Sequence, residues 1–250
     1  FEDEEIDKER GVIIEEWRLG RGAESRIRDK KIPIYFKGSK YAERLPIGKK
    51  DIIENFDYNV IKRFYKDWYR TDLMAVVAVG DLEPDTIEKY IKKYFNQIKK
   101  QVKPRDRIIE ELPNFDNYRV AIGSDPELRM PSVGITYFFD AEEENPTLEN
   151  FKISLMKTMI TQMINMRLSD LTKKEDPDFI YAGSYNAGRF IRPKNMFALY
   201  GGVQETKIEI GFKSLVRELE RIIRFGFIED ELNRTKAQIL SQIEQATNEK

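Results

Sequence analysis

Phe179-Ile-Tyr-Ala-Gly-Ser-Tyr-Asn-Ala187 and Met196-Phe-Ala-Leu-Tyr-Gly-Gly-Val203 are the stretches whose reading decides the fold. Both read as strands, and together as a strand pair. Upstream, Tyr118–Gly123 and Ser132–Phe139 read as two more strands. Between the pairs, Leu148, Phe151, Leu155, Met159, Met163 and Leu171 form an apolar stripe that predicts a long helix over residues 146–172. Residues 206–225 predict another helix, broken by Gly226, and residues 229–247 a last one. The order β-β-α-β-β-α-α implies an α+β fold, an antiparallel sheet covered by helices on one side.

Working back from there, residues 99–116 change character, with Lys99-Lys-Gln-Val-Lys-Pro-Arg-Asp-Arg107 and then Leu112-Pro113-Asn114. This stretch reads as a linker. It divides the chain into a domain over 1–106 and a second over 107–250. In the first, Leu73-Met-Ala-Val-Val-Ala-Val79, closed by Gly80-Asp81, is a continuous apolar run and predicts a strand buried on both faces. Helices are predicted over 4–18, over 56–69 and from Pro84 to about Ile98. Residues 20–50, punctuated by Gly20, Gly22, Pro33, Gly38, Pro46 and Gly48, read as loop.

Composition narrows the chemistry. The 250 residues include no histidine and no cysteine. Serine–histidine and cysteine–histidine catalysis within the chain is therefore excluded, as are disulfides. The 43 basic and 44 acidic residues leave a net charge of −1, so no global field draws the chain to nucleic acid or to an anionic membrane. No apolar run reaches the length of a membrane span, and no signal-peptide pattern is present in these residues, which says nothing about the parent protein. Met156, Met159, Met163 and Met166 read as a core stripe before they read as a soft metal site. Carboxylate pairs alone can support glycoside chemistry, but Trp17 and Trp68 are the only tryptophans and form no sugar-stacking cluster.

One carboxylate pair stands out in Glu9-Arg-Gly-Val-Ile-Ile-Glu15-Glu16. Seven residues on a helix fall about 20° short of two turns, so Glu9 and Glu16 share a face. The bland alternative is a solvated helix start, with Lys8, Arg10 and Arg18 neutralising these acids.

Several stretches in order carry a family resemblance: Glu9–Glu16; Tyr35-Phe36-Lys-Gly-Ser-Lys-Tyr41-Ala-Glu-Arg44-Leu-Pro46-Ile-Gly48; Ile61-Lys-Arg-Phe-Tyr65-Lys-Asp-Trp-Tyr69-Arg followed by Met74–Asp81; and Met166-Arg-Leu168-Ser-Asp-Leu171 followed by Asp178-Phe179-Ile-Tyr-Ala182. The chain resembles the M16 zinc peptidases, the insulinase, pitrilysin and mitochondrial-processing-peptidase group. The resemblance implies two M16-type (LuxS/MPP-like metallohydrolase) α+β domains, the first incomplete: the back of a catalytic-type domain over 1–106 and a non-catalytic domain over 107–250. It implies a zinc-dependent endopeptidase acting on peptides or unfolded polypeptides, with an inverted H-x-x-E-H motif upstream of residue 1. By the same resemblance Glu16 is the third zinc ligand, beside two histidines, and Glu9 is an accessory catalytic glutamate that orients a ligand or adds negative charge. Zinc then belongs to the full-length protein and not to this fragment, which is expected to be inactive alone. Active members also use an arginine–tyrosine pair. None is evident around Thr172 and Phe179, which suits a long, multi-domain member.

The expected partners are a peptide or polypeptide substrate and the remaining M16 domains of the same protein, with no nucleic acid and no membrane span. The resemblance also suggests substrate addition as a strand to the second domain. The candidates are Ser184, Tyr185, Asn186 and Ala187, and Leu199, Tyr200 and Gly201, with Gly183, Gly188, Gly201 and Gly202 allowing close approach. The expected compartment is a bacterial periplasm or cell envelope. The alternative is a non-catalytic homologue acting as a peptide-binding or scaffold domain.

Overall fold

The computed structural model describes residues 1–142 and 145–248 and separates into two units. The first is Phe1–Ser25 with Ala42–Ile109, and the second is Arg26–Tyr41 with Glu110–Lys250.

The first unit is helical: α1 (Asp3–Leu19), α3 (Lys50–Asn55), α4 (Tyr58–Trp68) and α5 (Pro84–Phe95). Helix α4 starts where the Asp57 carboxylate accepts the Asn59 N–H at 2.7 Å, and α5 starts on Pro84. Arg10 ties α1 to α3. Its guanidinium donates to the carbonyls of Ile53 (2.5 Å) and Phe56 (2.6 Å) and lies 3.8 Å from the Phe56 ring centroid. A cation on the orphan carbonyls of a helix C-terminus satisfies them and complements the helix dipole. The strand expected at Leu73–Val79 is not formed. The segment carries no sheet pairing, and Val77 and Val79 are 80% and 90% exposed. A strand needs a neighbour to take its N–H and C=O groups, and no other segment of this unit forms one.

The second unit holds the sheet. Strands β1 (Ser132–Asp140), β2 (Tyr181–Ile191) and β3 (Lys194–Gly202) lie in the order β1-β3-β2, all antiparallel. Leu199 sits opposite Ile135 on one side and Ser184 on the other. Helices α6 (Leu148–Leu171), α7 (Ile208–Phe225) and α8 (Glu229–Asn248) complete the unit. Ile164 and Leu168 of α6, Leu215 of α7, and Phe179, Leu199 and Val203 form one buried cluster, so α6 and α7 cover the same sheet face. Burying each of the larger side chains stabilises the fold by roughly 1.5–3 kcal/mol. Arg167 fastens α6 to α8. It donates to both carboxylate oxygens of Glu231 (2.6 and 2.8 Å) and to the Gly226 carbonyl (2.9 Å), and reaches the buried Glu218.

Residues 20–50 are not loop throughout. Helix α2 (Ala23–Tyr35) runs through Pro33. Proline lacks an N–H, but this one falls in the last turn, and the Phe36 N–H still reaches the Ile32 carbonyl at 2.9 Å. Phe36 packs against Phe138 (5.8 Å) and Phe190 (6.1 Å). Phe138 is three positions from Ile135, so α2 covers the face opposite α6 and α7, and helices lie on both sides rather than one. At its other end Arg26 pairs with Asp125 through two 2.7 Å bonds. The strand expected at Tyr118–Gly123 is absent: Tyr118 is 92% exposed, and the segment runs irregularly beneath α2.

Candidate functional site

The expected site residues fall in two places, one in each unit. In the first, Glu9 and Glu16 both lie on the solvent side of α1. The three nearby bases are engaged with other acids. Lys8 bonds Glu5 at 2.6 Å, Arg10 bonds Asp7 at 3.0 Å, and Arg18 bonds Glu15 at 2.9 Å. Neither the Glu9 nor the Glu16 carboxylate has a hydrogen bond or ion pair among the described residues. Val12, on the same face between them, is also exposed. The arrangement is two free carboxylates, two turns apart, on one open helix face.

A catalytic zinc needs three protein ligands, with nitrogen or sulfur donors prominent among them. Among the described residues no group of three or more histidine, cysteine or acidic side chains could hold a metal ion. Within this chain the residues do not make a zinc site; Glu16 is one donor and no more.

The second place is the edge of the sheet. Strand β3 is hydrogen-bonded on both sides, so Leu199, Tyr200 and Gly201 have no free edge for an added strand. The expectation for that segment is corrected by the strand order. Its glycines serve ring packing: a Cβ on Gly201 would stand 2.5 Å from the Phe179 ring, and one on Gly202 would stand 2.3 Å from Tyr181. Ser184, Tyr185, Asn186 and Ala187 lie on β2, the outer strand. Beside them opens a groove of about 1040 Å³ between β2 and the N-terminal half of α6, lined by Thr158, Thr161, Gln162, Ser184 and Asn186 among others. Gly188, at φ +55 with open space around it, permits the bulge that bends β2 past Asn186.

The polar stripe Thr158, Thr161, Gln162 and Asn165 on α6 escapes a search for apolar periodicity. Its i, i+3, i+4, i+7 spacing along one face of the helix was the available signal. Asn165 is the important member. Its Oδ1 accepts the Ser184 N–H at 2.5 Å, and its Nδ2 donates to the Ser184 carbonyl at 3.1 Å.

Known proteins fit this architecture. The family model described as "Peptidase M16 inactive domain" matches residues 55–239. The zinc protease PQQL-like of Arabidopsis thaliana is 33% identical over 178 residues, covering 70% of this chain and 18% of that protein. The probable zinc protease PqqL of Haemophilus influenzae is 33% identical over 177 residues, covering 70% and 19%. The chain thus spans about a fifth of the length of these curated relatives. The crystal structure of the periplasmic protease PqqL from Escherichia coli superposes with a TM-score of 0.81 at 21% identity, over 98% of this chain and 27% of that one. No helix among the described residues is long and apolar enough to cross a membrane. With the α+β architecture, the antiparallel sheet under paired helices and a family match across most of its length, the chain belongs to the peptidase M16 family.

Proposed function

We propose that this chain is part of a zinc-dependent endopeptidase acting on peptides or unfolded polypeptides, with Glu16 as a metal ligand and Glu9 as its accessory glutamate. The carrying observation is that both carboxylates are left free on one face while Lys8, Arg10 and Arg18 pair with their neighbours. Free carboxylates on a rigid helix suit ligation, since the helix fixes their geometry. In this reading residues 1–106 belong to a catalytic-type domain and 107–250 to a non-catalytic one. The remaining donors, two histidines, come from outside the chain. The edge Ser184–Ala187 receives substrate as an added strand, where main-chain bonds hold a peptide with little sequence preference. A periplasmic setting fits the description of the E. coli neighbour.

The test is metal stoichiometry in the full-length protein. Glu16→Gln is expected to lose bound zinc and peptide hydrolysis together. Zinc retained at one equivalent would remove Glu16 from the ligand set. A second reading, a peptide-binding homologue without chemistry, is supported by the "inactive domain" description of the matching model and by the lack of histidine. It predicts peptide binding without turnover in the full-length protein.

A further inference from the structure

The free edge of β2 is already partly occupied by the protein itself. The Val203 N–H donates to the Pro131 carbonyl at 3.0 Å, so β3 residues in phase with Val203, Leu199 among them, direct their N–H and C=O toward β1. Ser184, opposite Leu199, is then a non-hydrogen-bonded partner, and both its backbone groups face outward. Ala182 and Asn186 share that phase. An incoming extended chain would use these three residues as its ladder. The Asn165 amide takes both groups of the middle one, acceptor to donor and donor to acceptor, as a residue of an added strand would. Its Oδ1 also accepts from the Ser184 hydroxyl at 3.0 Å, which holds the amide in place. No bond to the outward groups of Ala182 and Asn186 is formed among the described residues. One turn before Asn165, the Oε1 atom of Gln162 is buried against the same groove without a donor. A buried acceptor left unpaired favours any ligand that brings an N–H.

We propose that Asn165 is a built-in plug, a side chain standing in for a peptide residue, which an extended polypeptide must displace from Ser184 to add to β2. The ligand class is an unfolded segment with a free N–H and C=O on alternate residues and no proline at the position facing Ser184. Displacement exchanges two hydrogen bonds for two, so the plug weakens binding by the cost of opening it. It also keeps the edge from pairing with another copy, a hazard of any bare strand.

This inference rests on the reading of β2 as a peptide acceptor, and the experiment separates the two. The full-length protein, treated with a chelator to prevent turnover, is titrated with fluorescently labelled, reduced and carboxymethylated α-lactalbumin. Asn165→Ala is expected to tighten binding by about fivefold to tenfold, the scale of one hydrogen bond. Asn186→Pro removes an outward N–H that β3 does not use, and is expected to weaken binding at least tenfold with or without Asn165. If Asn186→Pro changes nothing, the peptide edge is not β2 and the underlying reading fails. If Asn186→Pro weakens binding while Asn165→Ala leaves it equal or weaker, the plug is overturned. Hydrogen exchange without ligand gives an independent readout: the Ser184 amide should exchange faster in Asn165→Ala, while amides bonded between β2 and β3 keep their rates. Should Asn165→Ala fail to fold, Asn165→Ser, too short to reach both groups, carries the same two expectations. Unchanged exchange at Ser184 in a folded variant overturns the plug as well.

Discussion

Leu73–Val79 and Met196–Val203 are both short apolar runs, yet one lies open and the other forms the middle of a sheet. Their difference is not composition. Met196–Val203 has β1 on one side and β2 on the other within the same unit, so both of its edges are paired. Leu73–Val79 has neither, and its valines face solvent. A strand is a relation between segments: β3 has one partner next to it in the chain, β2, and one from far upstream, β1. Exposed apolar residues at this density mark a surface built to be covered.

The comparison can be broken most severely through Arg167. Replacing it with alanine would strand the buried Glu231 without its cation, at a cost of about 3–5 kcal/mol, while Glu218 would keep Arg221 at 2.8 Å. Chemical denaturation followed by near-UV circular dichroism should lose the transition of the second unit first. A drop under 1 kcal/mol would mean that the cluster is solvated.

The comparison is sharpened by a matched pair of truncations. Leu199→Ala, at a fully buried position, should cost about 2–5 kcal/mol. Val77→Ala, at a position 80% exposed, should stay within about 0.5 kcal/mol in this chain. Equal losses at the two sites in denaturant titrations would show that Val77 is covered, and the contrast between the units would collapse.

The smallest effect concerns pH. The Arg26 guanidinium holds the Asp125 carboxyl down to about 2. A carboxylate lowered on folding adds stability above its ordinary value, about 3.9, and that stability is lost as pH falls toward 2. Thermal melts of the native chain and of Asp125→Asn should therefore differ at pH 6 and converge near pH 2. A gap that persists at pH 2 would rule out the ion pair as its source.

Much of the second unit was legible in its sequence because its helices and strands carry their own periodicity. The apolar stripe of residues 146–172 and the runs at 132–139 and 196–203 each announce an element. Helix α2 was hidden by Pro33, since a proline reads as a stop unless its position in the last turn is known. Arithmetic on a helix puts Glu9 and Glu16 on one face. The same arithmetic puts Arg18 three residues from Glu15 and only two from Glu16, so the pairing that leaves Glu16 free was legible as well. Asn165 was illegible for a different reason. A single asparagine in a helix is a mildly poor helix former and says nothing of its partner, and only the tertiary packing of α6 on β2 brings it to Ser184.

The placement of α2 also bears on the order in which the chain can fold. Arg26 and Asp125 are 99 residues apart, and Phe36 waits longer still for Phe190. During synthesis from the N-terminus, Arg26–Tyr41 emerges well before the sheet it covers and must remain uncommitted until β2 arrives. A polypeptide started at residue 107 would be released sooner but would present Phe138, Phe190 and the back of β3 bare to water. The late sheet is thus completed by an early segment, and the second unit becomes whole only after both halves of the chain have left the ribosome.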